Sequence, residues 1–202
     1  MNLARIYDLF APLYDLLICV PIFGLRKEQS AALPHVAGKR ILEIGCGTGY
    51  LLERLASPAG SVVGLDISQG MLREARKRLS REDKKVHLIQ GSYYDIPFEK
   101  ESFDCVLATF ALTHAPDLLP VLGEIARVLE PGGRLVIVDV GPPIKPSSGS
   151  RLMTRMWRIL GDYPRDESPY LDSAGFKVAY RRELSKLGTV HLLVAEKQSP
   201  SG

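Results

Sequence analysis

The sequence predicts an α/β protein with a doubly wound, seven-stranded sheet that is mostly parallel and covered by helices on both faces. Between residues 40 and 139, short apolar runs alternate with amphipathic segments of helical length. Strands that alternate with helices in this way form parallel sheets. The first apolar run ends in a glycine-rich turn, and the last two strand-like runs are separated only by a short turn at 186–188. That last pair predicts a terminal hairpin.

The predicted elements follow from apolar periodicity and from the positions of Gly and Pro. Two helices are expected within 3–33, with a break near Pro21 and Gly24. Strands are predicted at 40–44, 61–66, 86–90, 103–109, 134–139, 176–184 and 189–196. Helices are predicted at 49–56, 69–79, 117–129 and 151–160, with Pro131-Gly132-Gly133 ending the third of these. A loop is expected at 141–150 and a disordered tail at 198–202.

Length and composition predict one globular domain. The 202 residues are 46% hydrophobic, which is enough to fill a core. A formal net charge of +3 is too small to indicate nucleic-acid binding. Cys19, Cys46 and Cys105 form neither a disulfide framework nor a metal-binding pattern, so no metal is expected and a reducing cytoplasm fits. We expect no signal peptide and no membrane-spanning segment.

The segment 41–52, ILEIGCGTGYLL, carries the strongest functional signal. It predicts a buried strand, a glycine loop and a helix that begins near Gly49 with its free N–H groups directed at the loop. A side chain at Gly45 or Gly47 would stand between the backbone and a ligand. Dinucleotide-binding loops have the spacing G-x-G-x-x-G, whereas here the third glycine follows the second by two positions. Glu43 would repel a pyrophosphate but suits an ammonium group, so the loop favours S-adenosylmethionine.

A second acid, Asp66, ends the apolar run 61–66. Open α/β sheets bind ligands at the carboxyl ends of their strands, so this position favours Asp66 as the acceptor for ribose hydroxyls. The alternative is that Asp66 caps the helix that begins after Ser68. Met71, one helical turn further on, is either a core residue or an apolar wall for an adenine ring.

The glycine loop Glu43-x-Gly45-x-Gly47-x-Gly49 resembles the first motif of class I S-adenosylmethionine-dependent methyltransferases. Later segments resemble further motifs of this family in the same order: VGLDIS at 63–68, GSYYDIPF at 91–98, SFDCVLAT at 102–109 and RVLEPGGRL at 127–135. The resemblance covers residues 38–140 closely. It implies a Rossmann-like fold with a reversed C-terminal strand, S-adenosylmethionine as the cofactor, and methyl transfer to an acceptor.

The resemblance also implies a domain plan and a set of cofactor-binding residues. Asp66 would bind both ribose hydroxyls, and Asp95 would face the adenine amino group unless it only caps the turn before Pro97. The whole set is Tyr14, Glu43, Gly45, Cys46, Gly47, Gly49, Asp66, Ile67, Met71, Tyr94, Asp95, Thr109 and Phe110. One domain is expected over 1–197, consisting of lid helices at 1–37, a cofactor-binding core at 38–140, a short substrate-side insert at 141–168, and a terminal helix and hairpin at 169–197.

Two residues are candidates for catalysis. His114 follows the fourth strand, in a loop that lies over the methionine end of the cofactor in the related fold, and it could accept a proton or merely cap the next helix. Tyr14 lies in a segment which, with Tyr7-Asp8, resembles the opening of quinone-biosynthesis methyltransferases, where this helix closes the site. Its helix could instead be simply amphipathic, with half-buried tyrosines. His35, His87 and His191 are expected away from the strand ends and receive no role.

Two apolar segments indicate a lipophilic acceptor. Residues 16–25 are apolar and precede Arg26-Lys27, and residues 151–160 carry three arginines beside Leu152, Met156 and Ile159. A basic face beside an apolar one is typical of helices that lie at a membrane surface. The favoured alternative is that both helices bury their apolar faces over the site.

The sequence therefore predicts in-line methyl transfer to a small, lipophilic acceptor, in a cytoplasmic protein with at most a peripheral membrane contact. A quinol and a phospholipid amine both fit, because the insert 141–168 is shorter than in the quinone-biosynthesis relatives. Two other classes stay open. One is a protein that binds the cofactor without catalysis. The other is a nicotinamide-dependent oxidoreductase, which the glycine spacing and Glu43 disfavour.

Overall fold

The computed structural model describes residues 7–8, 11–12, 25–38, 40–55, 60–80, 86–159 and 161–199. Within these ranges, seven strands form one sheet in the order β3-β2-β1-β4-β5-β7-β6. They are β1 (Arg40–Ile44), β2 (Ser61–Asp66), β3 (Val86–Gln90), β4 (Phe103–Thr109), β5 (Leu129–Val140), β6 (Phe176–Glu183) and β7 (Val190–Lys197). β7 is antiparallel to both of its neighbours, and the other neighbouring pairs are parallel. The predicted doubly wound sheet with a reversed C-terminal strand is confirmed.

The strand order creates a crevice at the carboxyl end of β1. After β1 the chain adds β2 and β3 on one side, and it then crosses over to add β4 and β5 on the other side. Ile44 at the end of β1 pairs with Leu65 of β2 and with Ala108 of β4. The loops that follow β1 and β4 therefore lead away in opposite directions, and open α/β sheets bind their ligands at such a point.

Helices pack on both faces of the sheet. They are α1 (Leu25–Ser30), α2 (Leu52–Leu55), α3 (Gln69–Leu79), α4 (Leu119–Val128), α5 (Ser148–Ile159) and α6 (Ser168–Ser173), with 3-10 turns at Leu33–His35 and Leu112–His114. Successive side chains of a strand point to opposite faces. Leu42 of β1 accordingly packs in the same cluster as Ile125 of α4, whereas Ile41 belongs to the cluster on the other face with Leu72 of α3.

Several predicted boundaries differ from the structure, and the helix predicted from residue 49 begins at Leu52. α5 begins at Ser148 rather than at 151, because the backbone N–H groups of Ser147 and Ser150 each donate to the other residue's hydroxyl, at 2.8 and 3.1 Å. β5 begins at Leu129 rather than at 134, because Leu129 pairs with Phe103 and the Pro-Gly-Gly turn forms an irregularity inside one strand. The predicted tail begins with an anchored residue, since Gln198 N donates to the carbonyl of Gly175 at 2.9 Å.

The outward face of α5 is not buried over the site, so the favoured expectation for this helix is wrong. Leu152 and Ile159 are 70% and 76% exposed. Arg151, Arg155 and Arg158 are exposed on the neighbouring turns. Apolar and basic side chains therefore share one solvent-facing surface of α5. Within the part of the chain that the structure describes, each helix is too short or too polar to cross a bilayer.

The N-terminal segment is described only at residues 7–8 and 11–12, which have helical backbone. Tyr14, the apolar segment as far as residue 24, and the predicted break near Pro21 lie outside the described residues. Asp8 contacts the start of α3, where its Oδ1 accepts hydrogen bonds from Ser68 Oγ and Gly70 N, both at 2.7 Å. The bond from Ser68, followed by that from Gly70, lowers the pKa of Asp8. These contacts hold Tyr7 at the rim of the crevice.

Candidate cofactor site

A cavity of about 270 Å³ opens at the carboxyl ends of β1, β2 and β4. Many of the residues expected at the cofactor or in catalysis line it: Gly45, Cys46, Gly47, Asp66, Ile67, Met71, Tyr94, Thr109, Phe110 and His114. Glu43, Gly49 and Asp95 are not part of its wall. The fold thus brings most of the candidate residues together, and their contacts with a cofactor stay a prediction.

Asp95 lies outside the cavity wall, and its expected role at the adenine amino group stays a prediction. Its backbone N–H donates to Ser92 O at 3.2 Å in a tight turn, and Asp95 is exposed. Ser92 and Tyr93 line the cavity instead. The turn therefore places Ser92, rather than Asp95, on the cavity wall with Ile67.

Gly45 and Gly49 have a structural reason besides the approach of a ligand. Gly45 and Gly49 have φ angles of +65° and +75°, which side chains rarely adopt. A Cβ at Gly45 would lie 2.7 Å from the Cβ of Ala111, and one at Gly49 would lie 3.1 Å from that of Ala75. These glycines let the loop pack against the loop after β4 and against α3, and Gly45 also lines the cavity together with Gly47.

Asp66 is held rigidly at the end of β2. Its Oδ2 accepts from Gly47 N at 2.7 Å and its Oδ1 accepts from Ser68 N at 2.8 Å. Burial raises the pKa of Asp66, and these two hydrogen bonds oppose the rise. The N-cap of α3 is Ser68, whose hydroxyl accepts from Met71 N at 3.1 Å. The alternative that Asp66 caps this helix is therefore wrong, and its oxygens keep lone pairs that can face the cavity.

Met71 is a core residue that also reaches the cavity, and its contact with an adenine ring stays a prediction. It is 2% exposed, and it also lines the cavity together with Leu65, Ile67 and Phe110. These side chains form an apolar wall beside Asp66.

Glu43 and Arg26 place opposite charges behind the glycine loop. Glu43 is 2% exposed, and burial, followed by the charge of Asp66, raises its pKa well above the usual range. Among the described residues, Glu43 Oε2 is buried without a hydrogen-bond partner. Arg26, which lines the cavity, donates to Gln29 Oε1 at 3.0 Å and to Thr48 Oγ1 at 3.4 Å. The site thus offers an unsatisfied carboxyl group and a guanidinium close to the same loop.

His114 lies between two side chains from distant parts of the chain. Its Nε2 is 2.7 Å from Tyr7 Oη, and its Nδ1 is 3.1 Å from Asp162 Oδ1. Asp162 follows α5 and is buried, and Tyr7 lines the cavity beside His114. Asp162 was missed because no local pattern links it to His114. Arg26 was missed because it was interpreted only as the basic flank of the apolar segment 16–25.

A second histidine lies next to the site, contrary to expectation. Because β7 is reversed, His191 near its start pairs with Asp139 near the carboxyl end of β5. His191 Nε2 is 2.6 Å from Glu167 Oε2, and both side chains are almost fully buried. Burial, followed by the charge of Glu167, raises the pKa of Asp139 to about 7. Asp139 Oδ2 also accepts from Thr113 N at 2.9 Å, which connects this buried cluster to the His114 turn.

Fold and site together define an α/β protein that binds a nucleoside-type cofactor at the switch point of its sheet. Residues 42–137 match the family described as "Methyltransferase domain". The demethylmenaquinone methyltransferase of Lactococcus lactis subsp. lactis (strain IL1403) is 44% identical over 125 residues, covering 60% of this chain and 50% of that protein. That of Listeria monocytogenes serotype 4a (strain HCC23) is 35% identical over 147 residues, covering 69% of this chain and 62% of that protein. The matched region thus spans about half to two thirds of these relatives' length.

A solved structure has the same fold over nearly the whole chain. It is the complex between the Haloferax volcanii Trm112 methyltransferase activator and a methyltransferase, with 20% identity, a TM-score of 0.77, and coverage of 96% of this chain and 98% of that one. Over residues 42–137 the chain is thus similar to S-adenosylmethionine-dependent methyltransferases, as its motifs predicted, and it shares their fold.

The residues present fit S-adenosylmethionine. The unpartnered Glu43 Oε2 matches the ammonium group of its methionine moiety, and the Arg26 guanidinium matches the carboxylate. The acceptor oxygens of Asp66 match ribose hydroxyls, and the wall formed by Ile67 and Met71 matches the adenine ring.

Proposed function

We propose that this protein transfers the methyl group of S-adenosylmethionine to a small, lipophilic acceptor of the quinol type. The observation that carries the proposal is the single cavity that joins the glycine loop and Asp66 to an aromatic space around Tyr93 and Phe110, with His114 on its wall. The names of the relatives from Lactococcus and Listeria support a quinone-derived acceptor.

The chain's own residues bind and orient the two reactants. S-adenosylmethionine, when bound, supplies an electrophilic methyl group on a sulfonium sulfur. Asp66 holds the ribose, Glu43 and Arg26 hold the two ends of the amino acid, and the apolar wall excludes water. Burial raises the pKa of Tyr93 to about 12, so its phenol stays protonated and can donate a hydrogen bond to an acceptor oxygen. His114 accepts the proton that a hydroxylated acceptor must lose.

The outward face of α5 supports a membrane surface as the source of the acceptor. Residues 142–161 contain Lys145, Arg151, Arg155 and Arg158 and no acid, and Leu152 and Ile159 project between these charges. Such a surface complements anionic lipid headgroups. The C-terminal end of α5 leads within three residues to Asp162, which contacts His114. A lipid-borne acceptor bound by this face would therefore enter beside the histidine.

Calorimetric titration with S-adenosylmethionine, S-adenosylhomocysteine and NAD tests the cofactor, and a methylation assay with reduced demethylmenaquinone in lipid vesicles tests the reaction. We expect the first two ligands to bind, NAD not to bind, and the quinol to be methylated. Binding without methylation of any quinol or amine would favour a cofactor-binding protein without catalysis. Binding of NAD alone would overturn the assignment.

A further inference from the structure

The side chain of His114 has a defined protonation pattern in its ring. A neutral imidazole donates from one nitrogen and accepts at the other. Asp162 Oδ1, 3.1 Å from Nδ1, is an acceptor when ionised, so Nδ1 carries the proton. Nε2 then accepts from the phenol of Tyr7, at 2.7 Å. The three groups form a chain that runs from the cavity wall to a buried carboxylate.

We propose that Tyr7, His114 and Asp162 form a proton relay that ionises a hydroxyl group of the acceptor. The proposal rests on the proposed methyl transfer and narrows the acceptor to a phenol or quinol rather than an amine. The O–H bond of the acceptor breaks, its proton passes to Tyr7 Oη, and the phenol proton passes to His114 Nε2. The electron pair stays on the acceptor oxygen and makes the oxygen, or a ring carbon conjugated with it, the nucleophile. His114 later releases the proton to solvent.

Each member of the relay has a separate role. Tyr7 is the catalytic residue, because it lines the cavity and its hydroxyl is the member of the relay that would meet the acceptor. Asp162 is a positioning residue, since it fixes the tautomer of His114 and stabilises the imidazolium that forms. A tertiary-amine acceptor has no proton to lose before methylation, so its methylation would not need a proton relay. Tyr7 reaches the histidine only while Asp8 holds the N-terminal segment against the start of α3.

In any pH experiment, the effects of other charged groups near His114 must be distinguished from the effect of the relay. Asp139 on β5 interacts electrostatically with His114. The guanidinium of Arg165 donates to the carbonyls of Ala115 and Pro116, directly after the histidine. The Asp139→Asn variant is therefore measured in parallel, because the pKa of Asp139 is itself near 7.

The first test needs no acceptor. Nitrogen-15 NMR of the imidazole in the full chain should show the Nδ1-protonated tautomer for His114, and the Asp162→Ala variant should show a shift towards the Nε2-protonated form. An Nε2-protonated ring in the wild-type protein would overturn the relay. This result is independent of whether the protein methylates any substrate.

The second test is the pH dependence of kcat with reduced demethylmenaquinone. Tyr7→Phe should lower kcat about 100-fold with little change in KM, which is the usual contribution of a proton-transferring group. Asp162→Asn should also lower kcat with little change in KM, because the imidazole of His114 loses the acceptor that orients it. Tyr180→Phe and Asp172→Asn, both exposed, are the matched controls and should behave like the wild type.

The outcomes separate the relay from the proposed function. A Tyr7→Phe variant with the wild-type kcat would overturn the relay while leaving the methyltransferase assignment intact. Faster methylation of vesicles of N,N-dimethylated phosphatidylethanolamine than of the quinol would overturn the phenol or quinol assignment. Absence of methylation of either acceptor by the wild-type protein, despite binding of S-adenosylhomocysteine, would overturn the proposed function itself.

Discussion

The site has two halves, which the sequence determines differently. The cofactor half consists of the loops after β1 and β2, and the acceptor half consists of the His114 turn with the side chains around it. In the cofactor half, β1, β2 and the loops after them supply Gly45, Gly47 and Asp66 within about twenty residues of chain. In the acceptor half, Tyr7 and His114 are 107 residues apart, and Asp162 comes from a third segment. A site made from one continuous stretch leaves a motif, whereas a site made from distant segments leaves only its residue types.

The two halves also differ in the groups that satisfy their buried charged side chains. The buried acid of the cofactor half, Asp66, is satisfied mainly by backbone N–H groups of its own loops. In the acceptor half, Glu167 and His191 satisfy one another across the reversed strand. We therefore expect the cofactor half to tolerate changes in the acceptor half, and the following experiments test that independence.

The largest effect is expected when the Glu167–His191 pair is broken. Glu167→Ala should lower the free energy of unfolding by about 3–5 kcal/mol, because a buried group is left without its partner. Denaturant unfolding measures the loss. Glu196→Ala, which removes an exposed contact with Arg134, is the control and should cost about 1 kcal/mol or less. Equal losses in the two variants would contradict the structural importance of the buried pair.

A smaller but sharper effect is expected from Asp66→Ala in the cofactor half. Loss of a charged hydrogen-bond acceptor is worth about 1.5–3 kcal/mol, so the affinity for S-adenosylhomocysteine should fall by about 10–100-fold. Calorimetry measures it. Asp95→Ala is the informative control, because Asp95 is exposed and outside the cavity wall. If both variants lose affinity equally, the adenine role first expected for Asp95 would be restored.

These two halves also show what could be predicted from the sequence. The glycine loop, the strand ends and the alternation of strands and helices sufficed for the parallel part of the sheet and for most of the cavity wall, whereas the reversed strand followed from the resemblance to the methyltransferase family. Whether Ser92 or Asp95 lines the cavity could not be predicted, because a turn of four residues decides it. His191 was misplaced because the reversal of β7 moves its first residues to the ligand edge. Burial of the apolar residues of α5 was expected from composition, yet Leu152 faces solvent.

The buried cluster of the acceptor half should make stability depend on pH. Because burial raises the pKa of Asp139 to about 7, the folded protein keeps a proton that the unfolded chain releases near pH 4. Although burial opposes it, the hydrogen bond with Glu167 raises the pKa of His191, and this contribution is also lost as the pH rises. The free energy of unfolding should therefore fall from about pH 5 to pH 7, with Asp139 contributing up to about 1.4 kcal/mol per pH unit.

Urea unfolding between pH 5 and 8 measures this slope, and Asp139→Asn should flatten it. Burial also raises the pKa values of Glu43 and Asp66 in the cofactor half, so Asp139→Asn should remove only part of the slope. If Asp139→Asn leaves the slope of the unfolding free energy against pH unchanged, a group other than Asp139 binds the proton in the folded protein.

The smallest effect is expected at the surface of α5, which concerns only the delivery of the acceptor. Arg155→Ala should weaken binding to vesicles containing phosphatidylglycerol by about 1 kcal/mol, roughly fivefold, since one cation near an anionic surface contributes about that much. Lys177→Ala, an exposed cation on β6, is the matched control and should leave vesicle binding unchanged. Vesicle co-sedimentation at two salt concentrations measures both variants, because the effect should shrink as salt screens the headgroups. Equal weakening by the two variants would show attraction by net charge alone, and α5 would then have no special place beside the acceptor half of the site.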